Sequence, residues 1–108
     1  MAVALKSIAS APSAATLTTA YTCPASTTAV IGAINICNRS ATPTTVRVAR
    51  QLLGAAIANS HYLAYDLPLD ANEVISIGGG TSLIATDIIS VYATLATVSF
   101  NISLQENS

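Results

Sequence analysis

The stretch that decides the fold class of this chain runs from Thr28 to Cys37 and reads TAVIGAINIC. β-Branched residues dominate it and a single glycine interrupts it, which is typical of a β-strand. Alternate residues of a strand point to opposite faces of the sheet, and here both alternate sets are largely apolar. We therefore predict a strand that is covered on both of its faces.

The same signals predict further strands on either side of this segment, each bounded by Gly, Pro, Asn or Asp. They cover residues 17–22, 44–53, 61–69, 74–77, 83–85, 88–95 and 97–104. The last of these, TVSFNISL, alternates most regularly between apolar and polar residues. Pro68 marks residues 61–69 as an edge strand or as a strand that is ending. Residues 54–60 are the one place where a short helical turn fits.

These segments predict an all-β fold, a single β-sandwich or jelly-roll-like barrel of about seven or eight short antiparallel strands. The predicted domain spans residues 16–108, which is a usual domain length. Residues 1–15 differ, because they are rich in Ala and Ser, contain Pro12 and show no sustained alternation. We interpret them as a flexible or extended N-terminal arm that either frays or becomes ordered on a neighbouring subunit.

The chain is unusually poor in charge. Four basic and five acidic residues make up 8% of the chain and leave a net charge of −1, whereas about 25% of an average domain is charged. A free monomer relies on charged surface to stay dispersed. We infer that copies of the chain or a larger structure cover much of its surface. So few basic residues cannot follow a phosphate backbone, and no apolar run reaches the roughly 18 residues of a membrane helix, so neither nucleic acid nor membrane is an expected partner.

No motif predicts an active site. A hydrolytic triad needs a nucleophile, a base and an orienting group within reach of one another, and His61 is the only histidine. No nucleophile motif surrounds it, and we expect it at the start of a strand, facing solvent or a subunit. The glycines at 78–80 lack the lysine of a phosphate-binding loop and predict a tight turn that uses positive φ.

Metal and cofactor sites are not predicted either. Zinc sites use clustered Cys and His, whereas Cys23 and Cys37 are separated in the sequence and far from the histidine. We expect both as buried, reduced thiols. The acidic residues at 66, 70 and 73 match no calcium-binding loop and are typical of a solvated turn. The sequence therefore predicts a protein that is not an enzyme and has no cofactor.

The arginines are the charged residues that most need a partner. A planar guanidinium suits ion pairs at interfaces, and Arg47 and Arg50 fall on opposite faces of one predicted strand. We hypothesise that at least one arginine bonds a carboxylate of the same or a neighbouring subunit, the alternative being an arginine that faces solvent on an edge strand. The carboxylates considered are Asp66, Asp70, Asp87 and Glu106. The candidate interface residues are Arg39, Arg47, Arg50, Asp66 and Asp87.

Several segments also carry a resemblance when taken in order: YTCPASTTAV (21–30), ICNRS (36–40), TTVRV (44–48), HYLAYDLPL (61–69), ATD (85–87), VYA (91–93) and VSFN (98–101). Together they resemble a family of small structural proteins of tailed-phage and prophage particles. The resemblance runs from about residue 17 to the end of the chain and leaves out the N-terminal arm. Cys23 stands where a plain aliphatic residue is expected.

The resemblance implies a structural protein of the virion that is assembled in the host cytoplasm. A capsid cement or decoration protein, a homotrimer that stabilises the shell of the major capsid protein, fits best. The alternative is a tail, baseplate or fibre component, in which the loops at 54–60 and 78–82 would contact a host surface. A carbohydrate-binding β-sandwich module is a further alternative, against which the absence of Trp and the few Tyr residues speak.

Overall fold

The structure, a computed structural model, describes residues 3–108 and contains two antiparallel sheets in this range. The nine described strands are β1 (Val3–Ser10), β2 (Thr18–Thr22), β3 (Thr28–Asn38), β4 (Thr44–Gln51), β5 (Tyr62–Leu69), β6 (Val74–Ile77), β7 (Ser82–Leu83), β8 (Ile88–Ala93) and β9 (Val98–Asn107). Two short 3₁₀ turns, Leu52–Gly54 and Asn59–His61, lie between β4 and β5. The prediction of an all-β sandwich is confirmed.

The sheets contain strands from both halves of the chain. Sheet A has the order β1-β9-β3-β6, and β7 pairs with the other end of β3, whereas sheet B has the order β2-β8-β4-β5. The position of β5 at an edge agrees with the expectation from Pro68. Between the sheets lies one core of buried residues: Tyr21, Cys23, Ala29, Ile31, Ile34, Ile36, Val46, Val48, Leu69, Leu83, Ile89, Val91, Ala93, Val98, Phe100, Ile102 and Leu104.

A β-bulge at Gly32 changes the face that β3 presents to the core. The register between β3 and β9 shifts between Ile31 and Ala33, so Gly32 is an extra residue in β3. Because of this extra residue, the core-facing positions of β3 have odd residue numbers before the bulge and even residue numbers after it. The core-facing apolar residues of β3 are Ala29 and Ile31 before the bulge and Ile34 and Ile36 after it.

Within the chain, this strand is therefore covered on one face only, and cover on its other face stays a prediction. Its outer face is exposed at Val30, Gly32 and Asn35. Apolar residues of both parities are present because the bulge directs both sets into one core, and a second covering layer is not needed to explain them.

The glycine loop 78–80 closes over this bulge. The N–H of Gly80 donates to the carbonyl of Ile31, and the N–H of Ile31 donates to the carbonyl of Thr81, both at 2.8 Å. Gly78 and Gly80 have φ values of +77° and +86°, which L side chains rarely adopt. The predicted glycine turn is confirmed, and its place in the fold is to hold the bulged part of β3.

Most of the predicted arm is a strand of sheet A. β1 pairs with β9 in unbroken antiparallel register from Val3 opposite Asn107 to Ser10 opposite Phe100. Ile8 packs against the core, while Leu5 is 82% exposed. The first two residues of the predicted arm lie outside the described range. β1 is the strand that the count of seven or eight did not include, since its sequence lacks regular alternation.

The segment between β4 and β5 folds back over sheet B. Its first 3₁₀ turn contacts β8 and its second contacts β4. Ala49 and Ser90 are consequently buried, although both lie on the face of sheet B that points away from the core. This places Asn59, in the second turn, close to the outer face of the sheet.

Deletion of the exposed strand residue Asn35 is expected to destabilise the fold more strongly than deletion of Gly32. Removal of the extra residue Gly32 leaves Ile31 and Ile34 alternating inward in a regular strand, whereas removal of Asn35 turns a buried Ile of β3 to the outer face. Each buried Ile contributes roughly 1.5–3 kcal/mol. Urea unfolding of the two deletion variants tests this, and equal unfolding midpoints would contradict the role given to the bulge.

Candidate functional site

The outer face of sheet A has a composition of its own. Its outward-facing residues form five cross-strand rows: Val3–Asn107–Thr28, Leu5–Gln105–Val30, Ser7–Ser103–Ala33, Ala9–Asn101–Asn35–Ser76 and Ser99–Cys37–Val74. These positions, all within residues 3–108, carry no ionisable acid or base other than the thiol of the cysteine. We call them the uncharged face. Arg39 lies at one end, where its Nε donates to Ser99 Oγ at 2.7 Å.

A shallow groove runs across the uncharged face. Leu5, Val30 and Leu104 line it together with Lys6, and Gly32 contributes no side chain that could fill it. Two of its aliphatic residues are well exposed, Leu5 at 82% and Val30 at 42%, and Val74 at the far edge is 62% exposed. The one charged group beside the groove, Lys6, is paired with Glu106. Aliphatic groups surrounded mainly by small polar residues are suited to burial against another protein surface.

The outer face of sheet B carries a different arrangement, built around Arg47. Its guanidinium carbon lies 4.2 Å from the ring centre of Tyr65 and 4.7 Å from that of Tyr92. Tyr62 meets Tyr65 edge to face, with 4.8 Å between the ring centres. Arg47 Nε donates to Asp66 Oδ1 at 2.6 Å. These five residues are called the tyrosine cluster.

Irregular pairing of β5 brings two consecutive side chains onto one arginine. The register between β4 and β5 shifts on both sides of Val48, and the extra residues lie in β5. Asp66 has a φ of +50°, a strained value for a non-glycine residue. Tyr65 and Asp66 would point to opposite faces of a regular strand, yet both contact Arg47. The hydrogen bond from Arg47 to Asp66 raises the pKa of the guanidinium, in spite of partial burial.

The other two candidate arginines make no contact with a carboxylate in the described part of the chain. Arg39 donates to Ser99 Oγ and to the carbonyl of Ala96. Arg50 lies on the core-facing side of β4, where Nη1 donates to the carbonyl of Ser82 at 3.3 Å. The hypothesised arginine–carboxylate pair is present within the chain between Arg47 and Asp66, and an interface role for any of the arginines stays a prediction.

The carboxylate of Asp87 accepts hydrogen bonds from backbone N–H groups inside the fold. Its side chain is almost fully buried, Oδ1 accepts the N–H of Leu53 at 2.8 Å, and Oδ2 accepts the N–H of Ile84 at 3.0 Å. One carboxylate thus ties the first 3₁₀ turn to the turn that precedes β8. Its proposed place in an interface also stays a prediction.

The carboxylate of Glu106, in β9, contacts both the N-terminal strand β1 and sheet B. Lys6 Nζ of β1 lies 3.3 Å from its Oε1, and the hydroxyl of Tyr21 in sheet B donates to its Oε2. The Tyr21 hydrogen bond is the main reason why the pKa of Glu106 is lowered. Burial, followed by the adjacent carboxylate, raises the pKa of Tyr21. Burial also raises the pKa of the Cys23 thiol.

The histidine and the cysteines form no reactive cluster. His61 is buried, and its Nδ1 accepts the N–H of Ala58 at 3.2 Å, so it caps the second 3₁₀ turn. The expectation that it faces solvent or a subunit is wrong. Cys23 is buried, Cys37 is half-buried, and both are free thiols. Within residues 3–108, no three His, Cys, Asp or Glu side chains are grouped as metal ligands would be.

No family model, curated protein or solved structure matches this chain. In the same described range, no helix has the length and apolar character needed to cross a membrane. Two surfaces of the sandwich remain as candidates for a functional site. The uncharged face and the tyrosine cluster lie on the outer faces of different sheets, which point in opposite directions.

Substitution of Asp87 with Ala is expected to lower the free energy of unfolding by about 1–3 kcal/mol, because buried N–H groups would lose their acceptor. Urea unfolding measures the change. Asp70→Ala is the control, since Asp70 is exposed and bonds its neighbours through its backbone. An equal loss in both variants would contradict the role of Asp87.

The contribution of Glu106 to stability is expected to depend on pH. A lowered folded-state pKa stabilises the fold above 4.5, the ordinary value of this group, and the contribution disappears as the pH falls through the lowered pKa. Urea midpoints of the wild type and Glu106→Gln, measured from neutral pH down to about pH 3, should therefore differ most at neutral pH and converge in acid. Glu73→Gln controls for the loss of a carboxyl elsewhere. A difference that does not change with pH would contradict the expectation.

Proposed function

We propose that this chain is a non-enzymatic structural subunit of a tailed-phage particle and that it assembles through the uncharged face. The observation that carries the proposal is the set of five cross-strand rows, where exposed aliphatic side chains alternate with small polar ones. Such a surface gains free energy from burial, and the rows themselves carry no charge that would have to be desolvated.

The few charges of the chain support the same conclusion, because several are used within the fold. Lys6 pairs with Glu106, Arg47 pairs with Asp66, and Asp87 is buried on backbone N–H groups. Little charge is left to keep a monomer dispersed.

The size of the uncharged face favours repeated contacts. Sheet strands lie about 4.8 Å apart and rise about 3.3 Å per residue, so four strands as long as the eight-residue β1 offer roughly 500 Å² of sheet surface. A standard interface buries about 800 Å² on each partner. One such contact is modest alone and becomes effective when a symmetric oligomer or a particle surface repeats it.

Within the particle, the proposed role is that of a capsid cement or decoration protein, a homotrimer that stabilises the shell of the major capsid protein. The sequence resemblance and the charge-poor composition support this assignment. A tail, baseplate or fibre component would use the same face, and it is the alternative proposal.

Leu5→Lys is expected to disrupt assembly, because it places a charge in the central groove of the uncharged face. Sedimentation measures the mass, which should correspond to a trimer for the wild type and to a monomer for the variant. Leu53→Lys is the matched control, since Leu53 is 65% exposed in the first 3₁₀ turn, and it should leave the oligomer intact. A wild type that stays monomeric at high concentration, or an unchanged Leu5→Lys oligomer, would overturn the proposed interface.

Binding experiments distinguish the capsid cement role from the tail or fibre role. Binding of the wild type, and not of Leu5→Lys, to purified expanded capsids supports the cement role. Binding to host cells without binding to capsids supports the tail or fibre role. Failure to bind either one, together with absence of the chain from phage particles, overturns the virion proposal.

A further inference from the structure

We propose that the tyrosine cluster on sheet B, together with Asn59, binds a neutral saccharide ring. Three aromatic side chains, an exposed carboxylate and an amide meet there beside a concave surface. This site goes beyond the proposed assembly role, because it lies on the sheet face opposite to the uncharged face.

The aromatic residues of the chain are concentrated in the cluster. The chain has five aromatic side chains, and three of them are Tyr62, Tyr65 and Tyr92 of the cluster, while Tyr21 and Phe100 belong to the core. Tyr65 is 57% exposed, with Arg47 over one face of its ring. Flat apolar rings held at the surface are suited to stacking against the C–H face of a sugar, and their hydroxyls can bond sugar hydroxyls.

The surface beside the rings has the shape and chemistry of a small-ligand site. Asn59, Tyr62 and Tyr65 line an open cleft of about 340 Å³, which is within the size range of small-ligand sites. In the described part of the chain, the side chains of these three residues form no hydrogen bond with another group of the protein. The carboxylate of Asp66 is 46% exposed and retains oxygen lone pairs beyond the one bonded to Arg47.

Contacts within the protein fix the cluster before a ligand arrives. Arg47 lies against two rings and is bonded to Asp66, and the strained backbone of Asp66 holds the carboxylate beside Tyr65. Side chains already held in place lose little conformational entropy on binding. The Arg47–Asp66 pair also cancels the charge of the cluster, which favours a neutral sugar over a phosphate or an acidic sugar.

Titration with neutral trisaccharides tests the proposal, using maltotriose, cellotriose and tri-N-acetylchitotriose as probes and sialyllactose as the acidic comparison. Because the chain has no Trp and three of its four Tyr residues belong to the cluster, tyrosine emission reports mainly on the cluster, and backbone amide shifts locate the contact. We expect at least one neutral probe to change the emission and to shift amides of residues 59–66 and of Tyr92.

Two variants of one residue separate stacking from folding. Tyr65→Ala should weaken binding of that probe by about tenfold or more, while Tyr65→Phe should keep the affinity within a few-fold because the ring remains. Asp66→Asn tests the carboxylate without a change of shape and should also weaken binding.

Three results would overturn the inference: no response to any neutral probe, equal binding by Tyr65→Ala and the wild type, or a response to sialyllactose alone. A protein partner that binds this face in a Tyr65-dependent manner, without any saccharide response, would also overturn it. Since Leu5→Lys acts on the opposite face, it should leave saccharide binding unchanged. Failure of assembly and failure of this site are therefore distinguishable.

Discussion

The one extra residue at Gly32 is the constraint on which the sandwich depends. β3 lies at the centre of sheet A and pairs with three other strands. In a regular strand, one of its two apolar sets would face solvent. The bulge directs both sets inward, and the glycine loop 78–80 holds that geometry through its bonds to Ile31. The exposed outer side of β3 is a direct result, and it supplies the middle of the uncharged face.

The sequence predicted most of the strands because β-branched alternation and turn residues are local signals. Irregular pairing is a property of two strands together, and the sequence of one strand did not disclose it. The apolar residues on both sides of Gly32 were therefore interpreted as a doubly covered strand. In the same way, the shifts around Val48 that bring Tyr65 and Asp66 onto one arginine could not be predicted from the alternation of β5.

Some of the polar contacts could be predicted from the sequence, and others could not. The need of Arg47 for a carboxylate followed from its chemistry, and the structure identifies Asp66 as its partner. Glu106 was considered only as a partner of an arginine, and its core-facing position was not predicted because the predicted strand ended at Leu104, whereas β9 continues to Asn107. An acidic residue that continues the inward parity of Phe100 and Ile102 was the available signal. The burial of His61 depends on a 3₁₀ turn whose sequence carries no strong marker.

The attachment of β1 has a consequence for solubility. β1 is an edge strand with most of its side chains exposed, and among the strands of sheet A it pairs with β9 alone. Its detachment would uncover the backbone N–H and C=O groups along one edge of β9, a ten-residue strand. An exposed edge of that length is a template for intermolecular β-pairing and aggregation. With β1 attached, the free edge is that of the eight-residue β1 itself, which carries Lys6 paired with Glu106 of β9. A lysine on an edge strand opposes intermolecular pairing.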